Sequence, residues 1–172
     1  MNEKVSMENL GRLSSEEFKL TKKNNIVIVL DNIRSLHNVG SVFRTADAFL
    51  IESVYLCGFT GTPPNKEIEK TALGATETVN WKYFKTTQEA IDDLKNSGYY
   101  IASVEQVKDS TMLHEFKKTE QPTAFVFGNE VYGVEQTIID QSDACVEIPQ
   151  YGTKHSLNIS VSVGIVLWEI LR

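Results

Sequence analysis

The feature that most limits the fold of this chain is a series of short apolar runs separated by segments of helical length. Each run is rich in β-branched or aromatic residues, as in strands buried on both faces of a sheet. Alternating strands and helices favour right-handed βαβ crossovers. The sequence therefore predicts an α/β fold, a mostly parallel six-stranded sheet flanked by helices. The predicted strands are 25–30, 53–57, 78–84, 99–104, 123–127 and 144–148, with helices at about 39–50, 66–73, 87–97 and 134–141.

The two ends of the chain carry different patterns. Residues 1–24 are polar and mixed in charge, and 14–17 combine a cap residue with first-turn acids, which predicts an N-terminal arm or short helix before a main domain at 25–172. The last stretch, 156–172, starts with a strand-like alternation, but its length favours a helix. It carries almost no charge before Glu169, so every face of the helix must be buried against other apolar residues. A homodimer that packs through this helix is therefore expected.

Composition narrows the class of protein. A chain of 172 residues with 41% hydrophobic and 23% charged residues suits one globular domain. No apolar run reaches the roughly 18 to 20 residues of a membrane span, so a soluble, cytoplasmic protein is expected. The net charge of −6 counts against nucleic-acid binding unless the 17 Lys and Arg residues gather on one surface.

Cysteine and metal chemistry are not expected. Cys57 and Cys145 lie far apart, each within an apolar run, which predicts buried free thiols. His37, His114 and His155 have no ligand-like spacing, and no carboxylate cluster joins them. The sequence therefore gives no metal site.

A polar loop, 31–44, follows the first predicted strand. Open α/β sheets bind ligands at the carboxyl ends of their strands, and Gly40 near a helix start would let the backbone approach an anion. Arg44 lies at i+4 from Gly40, so both are expected on one helix face. The alternative without function is an exposed Arg44 that pairs with Asp47.

Two more polar clusters follow later strands. The segment 128–133 is a glycine-bounded turn that would present free N–H groups to a ligand, although its glycines could serve only to turn the chain. The third cluster comprises 148–152 and 156–160. Ser156 could cap the last helix, and Asn158 is costly at the start of an apolar helix unless it is hydrogen-bonded. These polar residues are therefore consistent either with plain helix capping or with a functional role. Together the clusters predict a site on one edge of the sheet.

The three clusters resemble the ordered motifs of the SpoU/TrmH-like family of SPOUT RNA 2′-O-ribose methyltransferases. The segment 68–75 is also similar, so the resemblance runs from about Asn25 to Arg172. It implies a parallel-sheet domain with a C-terminal trefoil knot (an α/β knot) and a homodimer packed through the last helix. The matching motifs are Asn38-x-Gly40-x-x-x-Arg44, Gly128-x-Glu130-x-x-Gly133 and Ser156-Leu157-Asn158-x-Ser160.

The resemblance also implies that S-adenosylmethionine is bound in a pocket formed by the knot. Backbone groups of the knotted loops would bind its adenine and ribose, and two apolar side chains would sandwich the base. Carried over position by position, the cofactor contacts fall at Gly128, Ile148 and Leu157, with Glu105, Asn129, Gly133 and Pro149 as neighbours.

The implied reaction transfers a methyl group to a ribose 2′-hydroxyl of tRNA or rRNA. That hydroxyl needs a base or an oxyanion-stabilising cation, and Arg44 is the implied catalytic residue. Because a guanidinium is almost never deprotonated, both base action and an electrostatic clamp stay open. Asn38, Glu130, Ser156 and Asn158 would orient Arg44 and the ribose, with the arginine supplied across the dimer interface.

Two alternatives accompany this interpretation. One is a catalytically silent knotted protein that binds S-adenosylmethionine or RNA, and the other is an unrelated α/β nucleotide-binding module with accidental glycine spacing. The motifs do not distinguish tRNA from rRNA, because proteins recognise RNA through its shape and its unstacked single strands.

Overall fold

The computed structural model describes residues 2–118 and 120–172, and across them it confirms the parallel α/β sheet. The strands are β1 (Asn24–Asp31), β2 (Ile51–Cys57), β3 (Asn80–Phe84), β4 (Tyr100–Val104), β5 (Thr111–Met112), β6 (Thr123–Phe127) and β7 (Ala144–Glu147). They form one sheet in the order β3-β2-β1-β6-β4-β7-β5. Every neighbouring pair is parallel.

The predicted count of six strands was wrong by one, because β5 was missed. β5 pairs Thr111 with Val146 and Met112 with Glu147 at the edge of the sheet. A strand of two residues is too short to show an alternating pattern, so only its pairing with β7 reveals it.

Within the described ranges the structure has six α-helices. They are α1 (Ser15–Leu20), α2 (Leu36–Ala48), α3 (Lys66–Ala72), α4 (Thr87–Asn96), α5 (Gln136–Ile139) and α6 (Ile159–Leu171). α2 begins earlier than predicted because the Ser35 side chain accepts a hydrogen bond from the Asn38 N–H and caps the helix. α5 is only one turn long. No helix in the described chain has the length and apolar character needed to cross a bilayer.

The N-terminal segment contains the helix that its cap residues predict. Ser14 and Glu17 form a capping box at the start of α1. Phe18 is buried in the main core, and the Lys23 ammonium lies 4.3 Å from the centre of its ring. Met1 lies outside the described residues, and the division into an arm (1–24) and a domain (25–172) stays a prediction.

The core lies on both faces of the sheet. In β1, Ile26, Ile28 and Leu30 belong to a cluster with residues of α2, α3 and α6, whereas Val27 and Val29 belong to a second cluster with residues of α4. Successive side chains of a strand point to opposite faces, so one continuous apolar run supplies both clusters. Full burial of each such side chain is worth roughly 1.5–3 kcal/mol.

Gly40 serves helix packing. A Cβ at this position would overlap the Thr71 Oγ1 and the Ile68 carbonyl oxygen of α3. Gly40 therefore allows α2 and α3 to approach closely, and the expectation that it leaves room for an anion was wrong. The sequence could not show this, since the residues that fill the space are about thirty positions away along the chain.

Candidate active site

The carboxyl ends of β4, β6 and β7 and the start of α6 enclose a cavity of about 570 Å³. Open parallel sheets bind ligands at this edge, where strand order and chain order diverge. The lining residues lie in 104–106, 127–133, 147–148 and 155–159, with Gln150 and Ser162. The second and third predicted clusters thus meet at one cavity, whereas the first cluster, 31–44, contributes no lining residue.

The turn after β6 is tightly closed and needs both of its glycines. Asn129 and Gly133 exchange two backbone hydrogen bonds of 2.9 Å. A Cβ at Gly128 would overlap the Gly133 backbone, and Gly133 itself has a φ of +70°. Asn129 is buried, and its Oδ1 accepts the N–H groups of Val131 (2.9 Å) and Tyr132 (3.1 Å). The buried side chain of Asn129 therefore holds the backbone of the turn in place.

Glu105 joins the loop after β4 to this turn. Its two carboxylate oxygens accept the backbone N–H groups of Gln106 (2.9 Å) and Val134 (3.0 Å). The neighbouring Gln106 donates its side-chain amide to the His155 carbonyl at 3.0 Å. Sequence reasoning missed Gln106, because nothing in its local pattern points to the loop before α6.

Glu130 is the centre of a hydrogen-bond path that links the three motifs. Its carboxylate accepts the N–H groups of Arg34 (2.9 Å) and Ser35 (3.0 Å) and the amide of Asn38 (3.3 Å). The Asn38 Oδ1 in turn accepts from the Asn158 amide at 3.1 Å. Residues separated by up to 120 positions are thereby connected at the rim of the cavity.

The electrostatic state of Glu130 follows from these contacts. Burial opposes its ionisation, but hydrogen bonds from the Arg34 and Ser35 backbone outweigh burial and lower the pKa of Glu130 below its ordinary value. Glu130 is therefore an anion at neutral pH, and its charge fixes the loop that precedes α2.

Asn158 combines capping with the link to the other motifs. Its Oδ1 accepts the Ser160 N–H at 2.9 Å, which makes Asn158 the N-cap of α6, while its amide donates to Asn38. The two explanations that the sequence left open for Asn158 are thus compatible. The suggestion that Ser156 caps the helix was wrong, because α6 begins at Ile159. Ser156 is exposed and lines the cavity.

Arg44 and Pro149 lie outside the described cavity lining. Arg44 is exposed on α2 and forms no ion pair with Asp47 in the described chain; the Asp47 carboxylate instead accepts from the Thr78 hydroxyl. Pro149 lines a groove of about 450 Å³ along α6. The site roles expected for both residues, like those of the other motif residues, stay predictions.

The cavity wall combines apolar and acidic side chains. Ile148 and Leu157 are lining residues, as are Glu105, Glu130 and Glu147. Among the described residues, no lysine or arginine lines the cavity. Such a wall favours a ligand with an apolar part and a positive charge.

α6 exposes an apolar stripe beside this site. Val161, Ile165 and Trp168 repeat at helical spacing and are 50%, 36% and 64% exposed, although the opposite face of α6 is buried in the core. They line the groove that also contains Pro149 and Leu113. A large exposed apolar patch of this kind marks an interaction surface.

The two thiols differ in burial. Cys57 is buried, which confirms the prediction of a buried free thiol, and burial raises the pKa of this thiol to about 12. Cys145 is only half-buried and lines an open groove near α5, so the prediction of a buried thiol was wrong for this residue.

Comparison with protein families gives one match that spans most of the chain, the SpoU rRNA Methylase family, over residues 25–168. An uncharacterised tRNA/rRNA methyltransferase of Borreliella burgdorferi is 33% identical over 157 residues, which are 91% of this chain and 68% of the relative. The 23S rRNA (guanosine-2′-O-)-methyltransferase RlmB of Neisseria meningitidis is 33% identical over 147 residues, 86% of this chain. The chain spans only 58% of that relative's length.

Solved structures agree with the sequence matches. The TrmH/SpoU tRNA modifying enzyme of A. aeolicus has a TM-score of 0.79 and 30% identity, covering 90% of this chain and 79% of that one. The AdoMet-bound rRNA methyltransferase of Sinorhizobium meliloti has a TM-score of 0.80 and 25% identity, covering 86% of this chain and 56% of that one. An accidental resemblance in an unrelated nucleotide-binding module is therefore excluded. The chain belongs to the SpoU rRNA methylase family.

Proposed function

We propose that this chain is an RNA methyltransferase that transfers a methyl group from S-adenosylmethionine to a ribose 2′-hydroxyl of tRNA or rRNA. The observation that carries the proposal is the path from Glu130 through Asn38 to Asn158, which joins the three family motifs at one cavity. The Neisseria relative is named for 2′-O-methylation of 23S rRNA, and the A. aeolicus structure for tRNA modification.

The cavity suits the cofactor in size and in character. Its volume of about 570 Å³ falls in the range of small-molecule sites. Ile148 and Leu157 would pack against the adenine, and the backbone at Gly128, which lines the cavity, would bind the ligand. S-adenosylmethionine supplies an electrophilic methyl group on a positively charged sulfur, and the acidic wall complements that charge. Glu105, Asn129 and Gly133 would act on the cofactor indirectly, by fixing the turn.

The polar residues at the rim would position the ribose. Glu130 holds the backbone before α2 and the amide of Asn38, so Asn38 and Asn158 present their side chains in a fixed relation. Ser156 offers a hydroxyl with no hydrogen-bond partner among the described residues. Such preorganised groups lower the cost of holding a nucleotide in a reactive geometry.

The proposed homodimer brings Arg44 to the reaction. Trp168, Ile165 and Val161 would form the interface, since aromatic side chains are enriched in interface centres. α2 packs against α6, so Arg44 lies on a helix beside this surface. Because Arg44 does not line the cavity of its own subunit, it would act at the cavity of the second copy. There it would be a clamp on phosphate and developing alkoxide, or the base.

The trefoil knot and a cytoplasmic location are parts of the same proposal. The knot is supported by family membership. The location is supported by the tRNA and rRNA substrates for which the relatives are named.

The test measures methyl transfer from labelled S-adenosylmethionine to unmodified tRNA and rRNA transcripts, with nucleoside analysis by mass spectrometry. Wild type should yield a 2′-O-methylated nucleoside and Arg44→Ala should yield none, while cofactor affinity stays within about twofold because Arg44 lies outside the cavity lining. Cofactor or RNA binding without transfer by wild type would favour the catalytically silent protein.

A mixing experiment tests the cross-subunit arginine. Leu157→Asp damages the cavity and Arg44→Ala removes the guanidinium, so each variant alone should be inactive. Random re-association of equal amounts should restore about a quarter of wild-type activity, because half of the dimers are mixed and each has one intact site. No recovery, with mixed dimers demonstrated by mass spectrometry, would place Arg44 in its own subunit's site.

A further inference from the structure

Tyr132 stands at the tip of the turn 128–133 with 87% of its surface exposed. Its neighbour Val131 is 60% exposed, and Tyr132 also belongs to the cavity lining. A large aromatic side chain at an exposed tip contributes little to folding, because its apolar surface stays in water. Its place at the mouth of the cavity points to contact with a ligand.

The turn holds Tyr132 in a defined position. The buried Asn129 accepts the Tyr132 N–H at 3.1 Å, and its amide donates to the Asn32 carbonyl at 2.6 Å. The two backbone bonds between Asn129 and Gly133 close the turn behind the tip. Little backbone freedom is lost when such a preorganised tip binds its ligand.

The charges around the tip would affect the base, the ribose and the phosphate of a nucleotide differently. Glu105, Glu130 and Glu147 line the cavity and would repel a phosphate from its interior. Arg34 lies next to the tip, since its backbone N–H is bound by the Glu130 carboxylate at 2.9 Å. Its guanidinium is exposed and forms no ion pair among the described residues. The mouth therefore suits an uncharged base and ribose, with a phosphate outside.

We propose that Tyr132 stacks on the base of an unpaired RNA nucleotide at the cavity mouth, while Arg34 binds a flanking phosphate. This inference rests on the proposed function and narrows its substrate to RNA with a base that can leave its own stack. Aromatic stacking accepts any base and needs the base face free, which a duplex does not offer. Arg34 supplies the charge that the acidic cavity lacks.

The experiment compares Tyr132→Ala, Tyr132→Phe and Tyr132→Leu on the transcript that wild type methylates. Tyr132→Ala should weaken RNA affinity roughly 5- to 160-fold, with a matching rise in KM, as expected for the loss of one stacked base. Tyr132→Phe keeps the ring and should bind as wild type, whereas Tyr132→Leu, apolar but not aromatic, should resemble Tyr132→Ala. Tyr83→Ala is the matched control, since Tyr83 is half-exposed on β3 at the other edge of the sheet.

Arg34 is tested through the salt dependence of binding. Arg34→Gln should reduce the slope of log affinity against log salt by about 0.7, the value for one phosphate contact on a single strand. Tyr132→Ala should leave that slope unchanged, since it removes no charge. The two variants thus separate stacking from phosphate binding.

Several results would overturn the inference. Wild-type RNA affinity in Tyr132→Ala, or full recovery by Tyr132→Leu, would exclude stacking. If Tyr132→Ala lost affinity for the cofactor and not for RNA, Tyr132 would be a lining residue of the cofactor pocket. If Tyr132→Ala dissociated the dimer, Tyr132 would be a contact between subunits. Failure of the wild type to methylate any RNA would refute the proposed function and this inference with it, whereas an active wild type with an unaffected Tyr132→Ala would refute only the inference.

Discussion

Replacing Glu130 by glutamine removes one charge from the rim of the cavity while keeping the size of the side chain. The carboxylate accepts hydrogen bonds from the backbone of Arg34 and Ser35 and from Asn38. Glutamine has one acceptor oxygen, so its NH₂ group would face a donor N–H. The loop before α2 should therefore loosen, together with the Asn38–Asn158 link.

The size of the effect follows from the exposure of Glu130. Hydrogen bonds to a charged group are worth about 1.5–3 kcal/mol each, but Glu130 is exposed, so solvent partly screens its charge. A net loss of about 1–2 kcal/mol corresponds to roughly a 5- to 30-fold drop in kcat/KM, if the loop must be fixed in the transition state. Glu16→Gln, in the exposed first turn of α1, is the control.

Dependence on pH gives a second measure of the same group. The pKa of Glu130 is lowered in the folded protein, so the stabilisation is present above the ordinary carboxyl pKa and disappears as pH falls through the lowered value. The difference in thermal stability between wild type and Glu130→Gln should shrink in that acidic range. Equal kcat/KM for the two proteins at neutral pH would refute the reasoning.

Three further predictions concern packing, capping and assembly. Gly40→Ala should cost about 1–3 kcal/mol through overlap with Thr71, seen as a fall of several degrees in Tm. Asn158→Ala should cost about 1 kcal/mol of stability through the lost N-cap, and it should also reduce methyl transfer because Asn38 loses its partner. If the variant had a lowered Tm but an unchanged kcat, the role of Asn158 would be limited to capping α6. Trp168→Asp should give a folded monomer by light scattering that binds the cofactor but transfers no methyl group, and an active monomer would contradict the shared site.

Much of the fold could be predicted because its strands are local patterns. The run from Asn25 to Leu30 fills both faces of the sheet, so its continuous apolarity was a reliable signal. β5 was invisible, because two residues carry no period and only the pairing with β7 defines them. The extent of α5 was overestimated, since an apolar run flanked by polar residues does not show where the helix ends.

The sequence could predict two aspects of the site: contacts within a single loop, and the edge of the sheet at which the loops lie. That the segments containing Gly128 and Leu157 meet at one edge follows from the parallel sheet, and the structure agrees. The links that hold the site together join distant residues, as when Glu130 binds the backbone of Arg34 or Gln106 reaches His155. A backbone acceptor or donor has no signature in a sequence, so these links were missed.

The acidic net charge and the proposed RNA substrate are compatible because several acids are hydrogen-bonded within the protein. Glu105 and Glu130 bind backbone N–H groups, and with Glu147 they line the cavity, where a positively charged cofactor would complement them. Arg34 and Arg44, by contrast, are exposed. The charge that an approaching RNA meets is set by residues at the rim and not by the sum over the chain, since fields from charges more than about 10 Å away are screened at ordinary salt. If the proposed function holds, the net charge of −6 would limit long-range attraction of RNA but not the contact itself, and stacking and shape would supply the larger share of recognition.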